Sequence, residues 1–193
     1  MTEYILLFVS TVLINNFVLT RFLGLCIFFG VSKSLNASIG MGMAVTSVMT
    51  VSSVCSWLVY NLILAPLDLT FLSLVVLVLL IACFVQLLEM LIRKFAPALY
   101  DMWGIYLLLI ATNCIILSVP LINIRSGYSL GLSTVNAVGA GIGFSLALIL
   151  MASLREKLVL ADVPKSLEGL GIAFIVAGCL SLAFLGFSGM ISI

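Results

Sequence analysis

Apolar residues run along this chain in long, nearly unbroken blocks, and the polar positions gather between them. A hydrocarbon core about 30 Å thick is crossed by about 20 apolar residues in a helix. Runs of that kind predict six helices, over roughly 4–22, 37–64, 69–92, 99–120, 130–154 and 167–191. The intervening stretches, GVSKSLN, LAPLDL, RKFAP, INIRSGYS and REKLVLADVPKS, carry the glycine, proline and small polar residues of turns. Two blocks are themselves interrupted. LINNFVLTRFLGLCIFFG (13–30) sets two asparagines, an arginine, a glycine and a cysteine within apolar sequence, and ATNC (111–114) repeats the intrusion on a smaller scale.

Composition turns these helices into membrane helices. Of 193 residues, 64% are hydrophobic and 8% charged, whereas soluble domains carry about 25% charged residues. The expected class is an all-α integral membrane protein forming one transmembrane domain over 1–193. The opening MTEYILLFVS has no basic n-region, so the first block is expected to persist as a membrane helix instead of being cleaved. A net charge of +1 and no histidine exclude imidazole-based metal sites and proton relays within the chain. They also leave no basic surface for nucleic acid.

Charge distribution orients the helices. Arg21, Lys33, Arg93, Lys94, Arg155, Lys157 and Lys165 fall on the first, third and fifth connections, against Arg125 alone on the other side. Basic residues favour the cytoplasmic face, which places both termini outside. The connections are too short for a soluble catalytic domain, so function lies within or at the edge of the bilayer.

The two halves, about 1–95 and 96–193, resemble each other weakly. IGMGMAVTS aligns with VGAGIGFSL, setting Gly40 over Gly139 and Gly42 over Gly141; CIFFGVS aligns with CIILSVP, setting Cys26 over Cys114. An alternative pairing sets Asn15 over Asn113. Three helices per half is an odd number, so such repeats are inverted, and inverted repeats with broken helices place their site near the midplane. The glycines suit either close helix packing or, at Gly24, a backbone role in the break.

Freed backbone groups are costly in lipid and have to be sheltered. Asn15, Asn16, Thr112 and Asn113 are candidates to cap half-helix ends or to line an ion path. Glu89 lies four residues before Arg93, a spacing for a helical ion pair as well as for a cation ligand. No carboxylate stands at a clear helix midpoint, where ion carriers often keep one. The five cysteines, Cys26, Cys55, Cys83, Cys114 and Cys179, show no C-x-x-C spacing. Isolated cysteines in apolar helices behave as small hydrophobes, which suits Cys55, Cys83 and Cys179. Cys26 and Cys114 sit at interruptions, where freed amides can donate to sulfur. Two thiolates fill half of a four-cysteine iron–sulfur shell, so any such centre needs ligands from another chain.

NNFVLTRFLGLC, GVSKSL, QLLEMLIRKFAPALY, LIATNC, LREKLVLADVP and GFSG resemble the A subunits of the Rnf complex, an ion-translocating ferredoxin:NAD oxidoreductase. The resemblance runs along the whole chain. The related E subunits of the sodium-translocating NADH:quinone oxidoreductase would carry an opening nearer ENMAL, and the Rnf assignment is preferred. The resemblance implies six transmembrane helices in two inverted three-helix repeats, with interrupted first and fourth helices, in the bacterial inner membrane. It implies a homologous E subunit of opposite orientation, with B, C, D and G subunits beside it. It also implies a [2Fe–2S] cluster shared with that E subunit, for which Cys26 and Cys114 are this chain's iron ligands. Gly24, Thr112 and Asn113 would shape the breaks presenting them, and electron passage would be coupled to Na⁺ or H⁺. Ile27 departs from the proline that many relatives place after the cysteine. The competing classes are a small secondary transporter with an inverted repeat and a structural anchor for redox subunits.

Overall fold

The computed structural model describes residues 2–64, 73–95, 109–110, 113–159, 164 and 169–188. Its elements are α1 (Thr2–Val9), a π-helical turn (Ser10–Ile14), α2 (Phe17–Arg21), α3 (Leu25–Val31), α4 (Leu35–Val59), a second π-helical turn (Tyr60–Leu64), α5 (Ser73–Phe95), α6 (Cys114–Arg125), α7 (Leu130–Val159) and α8 (Leu170–Ser188). The described residues contain no strand. Among the described residues, two helices are long and apolar enough to cross a membrane, Leu35–Leu64 with a mean hydropathy of 1.5 and Leu130–Leu158 with 2.1. The second, third, fifth and sixth expected segments overlap α4, α5, α7 and α8 with shifted ends. α6 runs through Pro120 to Arg125; the ring removes one helical donor without ending the helix. The first part of the fourth expected segment, Thr112 and the side chains of Glu89 and Arg93 lie outside the described residues.

The first expected helix is cut into three pieces. α1 widens into the π-helical turn, whose last step is a bond from the Asn15 N–H to the Ser10 carbonyl (2.7 Å). α2 closes at Phe22, which takes the left-handed conformation at φ 54°, a strained choice for a bulky residue. The Leu23 N–H returns to the Phe17 carbonyl, satisfying an acceptor that the helix end leaves free. Arg21, expected in the first connection, instead ends α2, with its guanidinium 5.5 Å over the Phe17 ring.

α4 and α7 form the principal helix pair. Small residues allow their close approach. A Cβ on Gly42 would stand 2.6 Å from Ser145 Oγ, and one on Gly141 would stand 2.6 Å from Thr46 Cγ2. The two contacts are reciprocal, because exchanging 42 with 141 and 46 with 145 converts one into the other. Thr46 Oγ1 and Ser145 Oγ, 99 residues apart, meet at 3.4 Å. Each hydroxyl also donates to a carbonyl four residues earlier, Thr46 to Gly42 (2.7 Å) and Ser145 to Gly141 (2.9 Å). That back-bonding lets a polar side chain sit in an apolar helix.

Around this pair lies the core, with Phe28, Met41, Met49, Ile115, Ile116, Phe144, Leu148 and Met151 all but fully buried. The outward faces of α5 and α8 carry Leu79, Met90, Phe174 and Leu182 in the open. An exterior this apolar suits hydrocarbon or another protein surface.

Candidate functional site

Two chain breaks define the site, and each is held by an asparagine. Asn16, extended at ψ 109°, accepts a bond on its side-chain oxygen from the Val18 N–H (3.1 Å), capping α2. Asn113, extended at ψ 118°, does the same for the Ile115 N–H (3.3 Å), capping α6. Both are buried, at 1% and 2% exposure. An N-cap carboxamide satisfies one of the donors that a helix start leaves unpaired, which is the chemistry expected of these residues. Asn15 plays no such part. It is exposed, and its Nδ2 reaches Ser10 Oγ at 3.3 Å, so the capping counterpart of Asn113 is Asn16.

The remaining amide groups differ. Asn16 Nδ2 donates across to the Gly143 carbonyl of α7 (2.8 Å), tying the first break to the central pair. Asn113 Nδ2 is buried with no partner among the described residues.

Gly24 opens α3 in the left-handed conformation, at φ 79°. Its missing side chain also makes room for the second break. A Cβ there would lie 2.9 Å from Asn113 Oδ1, 3.5 Å from Phe144 Cε2 and 3.6 Å from Ile115 Cγ2. The two interruptions therefore touch. Cys26 follows Gly24 by two residues and Cys114 follows Asn113 by one, so each thiol leaves the first turn of a helix beside this contact. Both cysteines are free and exposed. Behind them Ile27, Phe28, Ile115 and Ile116 are completely buried, which closes the inner side of the site to water.

Cys26 also lines a cleft of about 550 Å³ with Leu25, Phe29, Gly30, Lys33, Arg155 and Phe174. Arg155 Nη1 donates to the Phe29 carbonyl and to Ser32 Oγ, both at 2.9 Å. A cation at the C-terminal end of α3 meets its unpaired carbonyls and the negative end of its dipole. Spacing did not single out Arg155, and a basic residue in a loop-proximal turn is too common a signal to find it. Cys83 and Cys179 are exposed on apolar helices and Cys55 is half-buried on α4, none of them at a break.

Among the described residues no three His, Cys, Asp or Glu side chains converge as a metal site. The donor set at the breaks is two thiols turned outward. That set fits one half of a four-thiolate centre completed across an interface.

Comparison with known proteins supplies the assignment. The family model of the Rnf-Nqr subunit, a membrane protein, matches residues 4–191. The chain belongs to the Rnf-Nqr subunit family. This Rnf-Nqr subunit is 70% identical over 193 residues to a protein of Clostridium ljungdahlii, named as the A subunit of a proton-translocating ferredoxin:NAD(+) oxidoreductase complex, with all of both chains covered. It is 54% identical over 191 residues to a Serratia proteamaculans protein named as the A subunit of an ion-translocating oxidoreductase complex, covering 99% of each chain. To the protein of the same name from Citrobacter koseri it is 52% identical over 193 residues, again with both chains fully covered. The membrane class and the family expected from the sequence are both met.

Proposed function

We propose that this Rnf-Nqr subunit is the A subunit of an Rnf-type ion-translocating ferredoxin:NAD oxidoreductase. In this reading it carries electrons across the bacterial inner membrane through a [2Fe–2S] cluster shared with a homologous E subunit. The observation that carries the reading is the contact of Gly24 with Asn113, which brings the two breaks bearing Cys26 and Cys114 together. The names of the relatives supply the complex and its reaction class.

Cys26 and Cys114 would hold the iron of one half of the cluster as thiolates. When bound, the cluster supplies a one-electron relay within the membrane. The chain's own residues do the positioning. Asn16 and Asn113 keep the helices broken, Gly24 lets the breaks close on each other, and the buried isoleucines and Phe28 exclude water behind the sulfurs. Their exposed side is the face for the partner's two ligands. Coupling to Na⁺ or H⁺ belongs to the same region, because carbonyls freed at interrupted helices are the groups that meet cations in membrane carriers.

The fold reading is that of six spans in two inverted halves, with both termini outside. Its support is the reciprocal contact of Gly42 with Ser145 and Gly141 with Thr46, joined by the matching caps Asn16 and Asn113. A partner of the same architecture and opposite orientation would continue that symmetry, with the B, C, D and G subunits completing the complex.

Purified complex carrying Cys26→Ala or Cys114→Ala tests the cluster. The expected result is loss of the [2Fe–2S] EPR and visible signals and of ferredoxin-dependent NAD reduction, while Cys55→Ala keeps both. A full cluster signal in both cysteine variants would sink the proposal.

A further inference from the structure

A second polar feature lies away from the breaks, and the cluster reading does not use it. Thr11 Oγ1 shares its one proton between the Leu7 carbonyl (2.8 Å) and Asn136 Oδ1 (3.0 Å), and Asn136 Nδ2 donates to Asn123 Oδ1 (2.6 Å). Asn123 Nδ2 in turn donates to Ser53 Oγ (2.8 Å) and to the Ser133 carbonyl (3.2 Å). Ser53 Oγ donates to that same carbonyl at 3.4 Å. These side chains are all at least nine-tenths buried, and they come from the π-helical turn, α4, α6 and α7.

Three more hydroxyls, two on α4 on either side of Ser53 in sequence and one on α7 at the residue whose carbonyl joins the network, have no partners among the described residues. Ser52, Ser56 and Ser133 are buried at 0–1% exposure, and none of their Oγ atoms has a hydrogen bond. The usual remedy was open to them. On the same helices Thr46, Ser47, Thr50, Thr134, Ser145 and Ser153 each donate to a carbonyl four residues back. A buried hydroxyl that forgoes that bond calls for another partner.

Position narrows the choice. The network begins next to the first break, where Asn16 holds the Gly143 carbonyl, and follows α7 toward its start. From Gly143 to Ser133 the helix rises about 15 Å, half of a hydrocarbon core of about 30 Å. It ends where Trp57 Nε1 donates to the Tyr128 carbonyl (2.9 Å), at the end of α4 and α7 remote from Lys33 and Arg155.

Chemistry narrows it further. Every group in this polar row is a neutral hydroxyl, carboxamide or carbonyl. None titrates near neutral pH, so the row cannot act as a side-chain acid–base relay. Divalent ions are held by carboxylates, and the row has none. Neutral hard oxygens suit a monovalent cation moving with some of its water, held firmly enough to enter and weakly enough to leave.

We propose that Ser52, Ser53, Ser56, Asn123, Ser133 and Asn136 line a half-path for a monovalent cation, Na⁺ or hydronium, from the broken helices to the face opposite Lys33. The inference rests on the ion-translocating reading above.

The test uses the whole complex in proteoliposomes driven by reduced ferredoxin and NAD. ²²Na⁺ uptake that survives a protonophore identifies Na⁺; dye-reported acidification that the protonophore abolishes identifies hydronium. In the triple variant Ser52→Ala, Ser56→Ala, Ser133→Ala, the ions moved per NADH formed should fall about tenfold. Thermal unfolding guards against misfolding. Removing hydroxyls that bond nothing leaves the melting temperature unchanged or raised, so a lower ratio then reports the path. Asn136→Leu, which cuts the network in the middle, should lower the ratio as well. A wild-type ratio in the triple variant overturns the half-path and leaves the function standing. Absence of any coupled uptake by the wild-type complex overturns both.

Discussion

Gly24 and Asn113 are in contact across the two halves of the chain, the bare Cα of one against the side-chain oxygen that caps the helix of the other. The glycine meets two demands there. It adopts φ 79°, which side chains other than hydrogen tolerate poorly, and it leaves no atom where Asn113 Oδ1 lies. Cys26 and Cys114 leave the chain in the first helical turns beside this contact.

Gly24→Ala therefore carries two costs, left-handed strain of about 1–2 kcal/mol and overpacking of about 1–3 kcal/mol. Gly127, at φ 64° with nothing within 4 Å, carries only the first. Unfolding in mixed detergent should show Gly24→Ala as the more damaging by at least about 1 kcal/mol. Equal losses would mean that the close approach to Asn113 does not persist in the folded protein.

The two capping asparagines should differ when truncated. Asn16→Ala removes a cap and the bond to the Gly143 carbonyl, a loss of about 2 kcal/mol. Asn113→Ala removes a cap of the same kind together with a buried, unpartnered amide, so the net loss is about 0.5–1 kcal/mol. The same detergent titration ranks them, and a reversed order would contradict the hydrogen-bond pattern at the breaks.

At the α4–α7 crossing, Gly42→Ala and Gly141→Ala should each destabilise by about 1–3 kcal/mol, since either Cβ wedges the helices apart. Once one methyl has separated them the second finds room. The double variant should fall short of additivity by at least about 0.5 kcal/mol. A double-variant cycle measures that coupling, and strict additivity would mean that the two contacts are independent.

The two ends of α4 test the orientation expected from the distribution of basic residues. Lys33 lies just before α4, and Tyr128 is held at its far end by Trp57, about 37 Å away along a helix of 25 residues. A membrane-impermeant thiol reagent applied to intact cells should label Tyr128→Cys and spare Lys33→Cys, in a background whose other exposed cysteines are replaced. In inverted vesicles the pattern should exchange. Labelling of both sites from one side would break the two-sided arrangement.

The sequence by itself determined what depends on composition and on near neighbours. A chain with so few charges cannot cover itself in water, and its apolar runs can satisfy their backbone only as helices. The interruptions were equally legible, because an asparagine cap acts on the N–H two residues ahead and needs no distant partner. Even there, whether Asn15 or Asn16 served was settled by backbone dihedral angles that adjacent identical residues do not reveal. Full-length motif similarity carried the family.

Tertiary structure decided which of these local features meet. Gly24 and Asn113 are far apart in sequence, and Thr11 reaches Asn136 across 125 residues. Such contacts follow from how α4 and α7 cross, which small residues permit without announcing their partners. The row of serines and asparagines was invisible for the same reason. Each member alone reads as an ordinary polar residue in a membrane helix, and only the packing of four elements places them in one line.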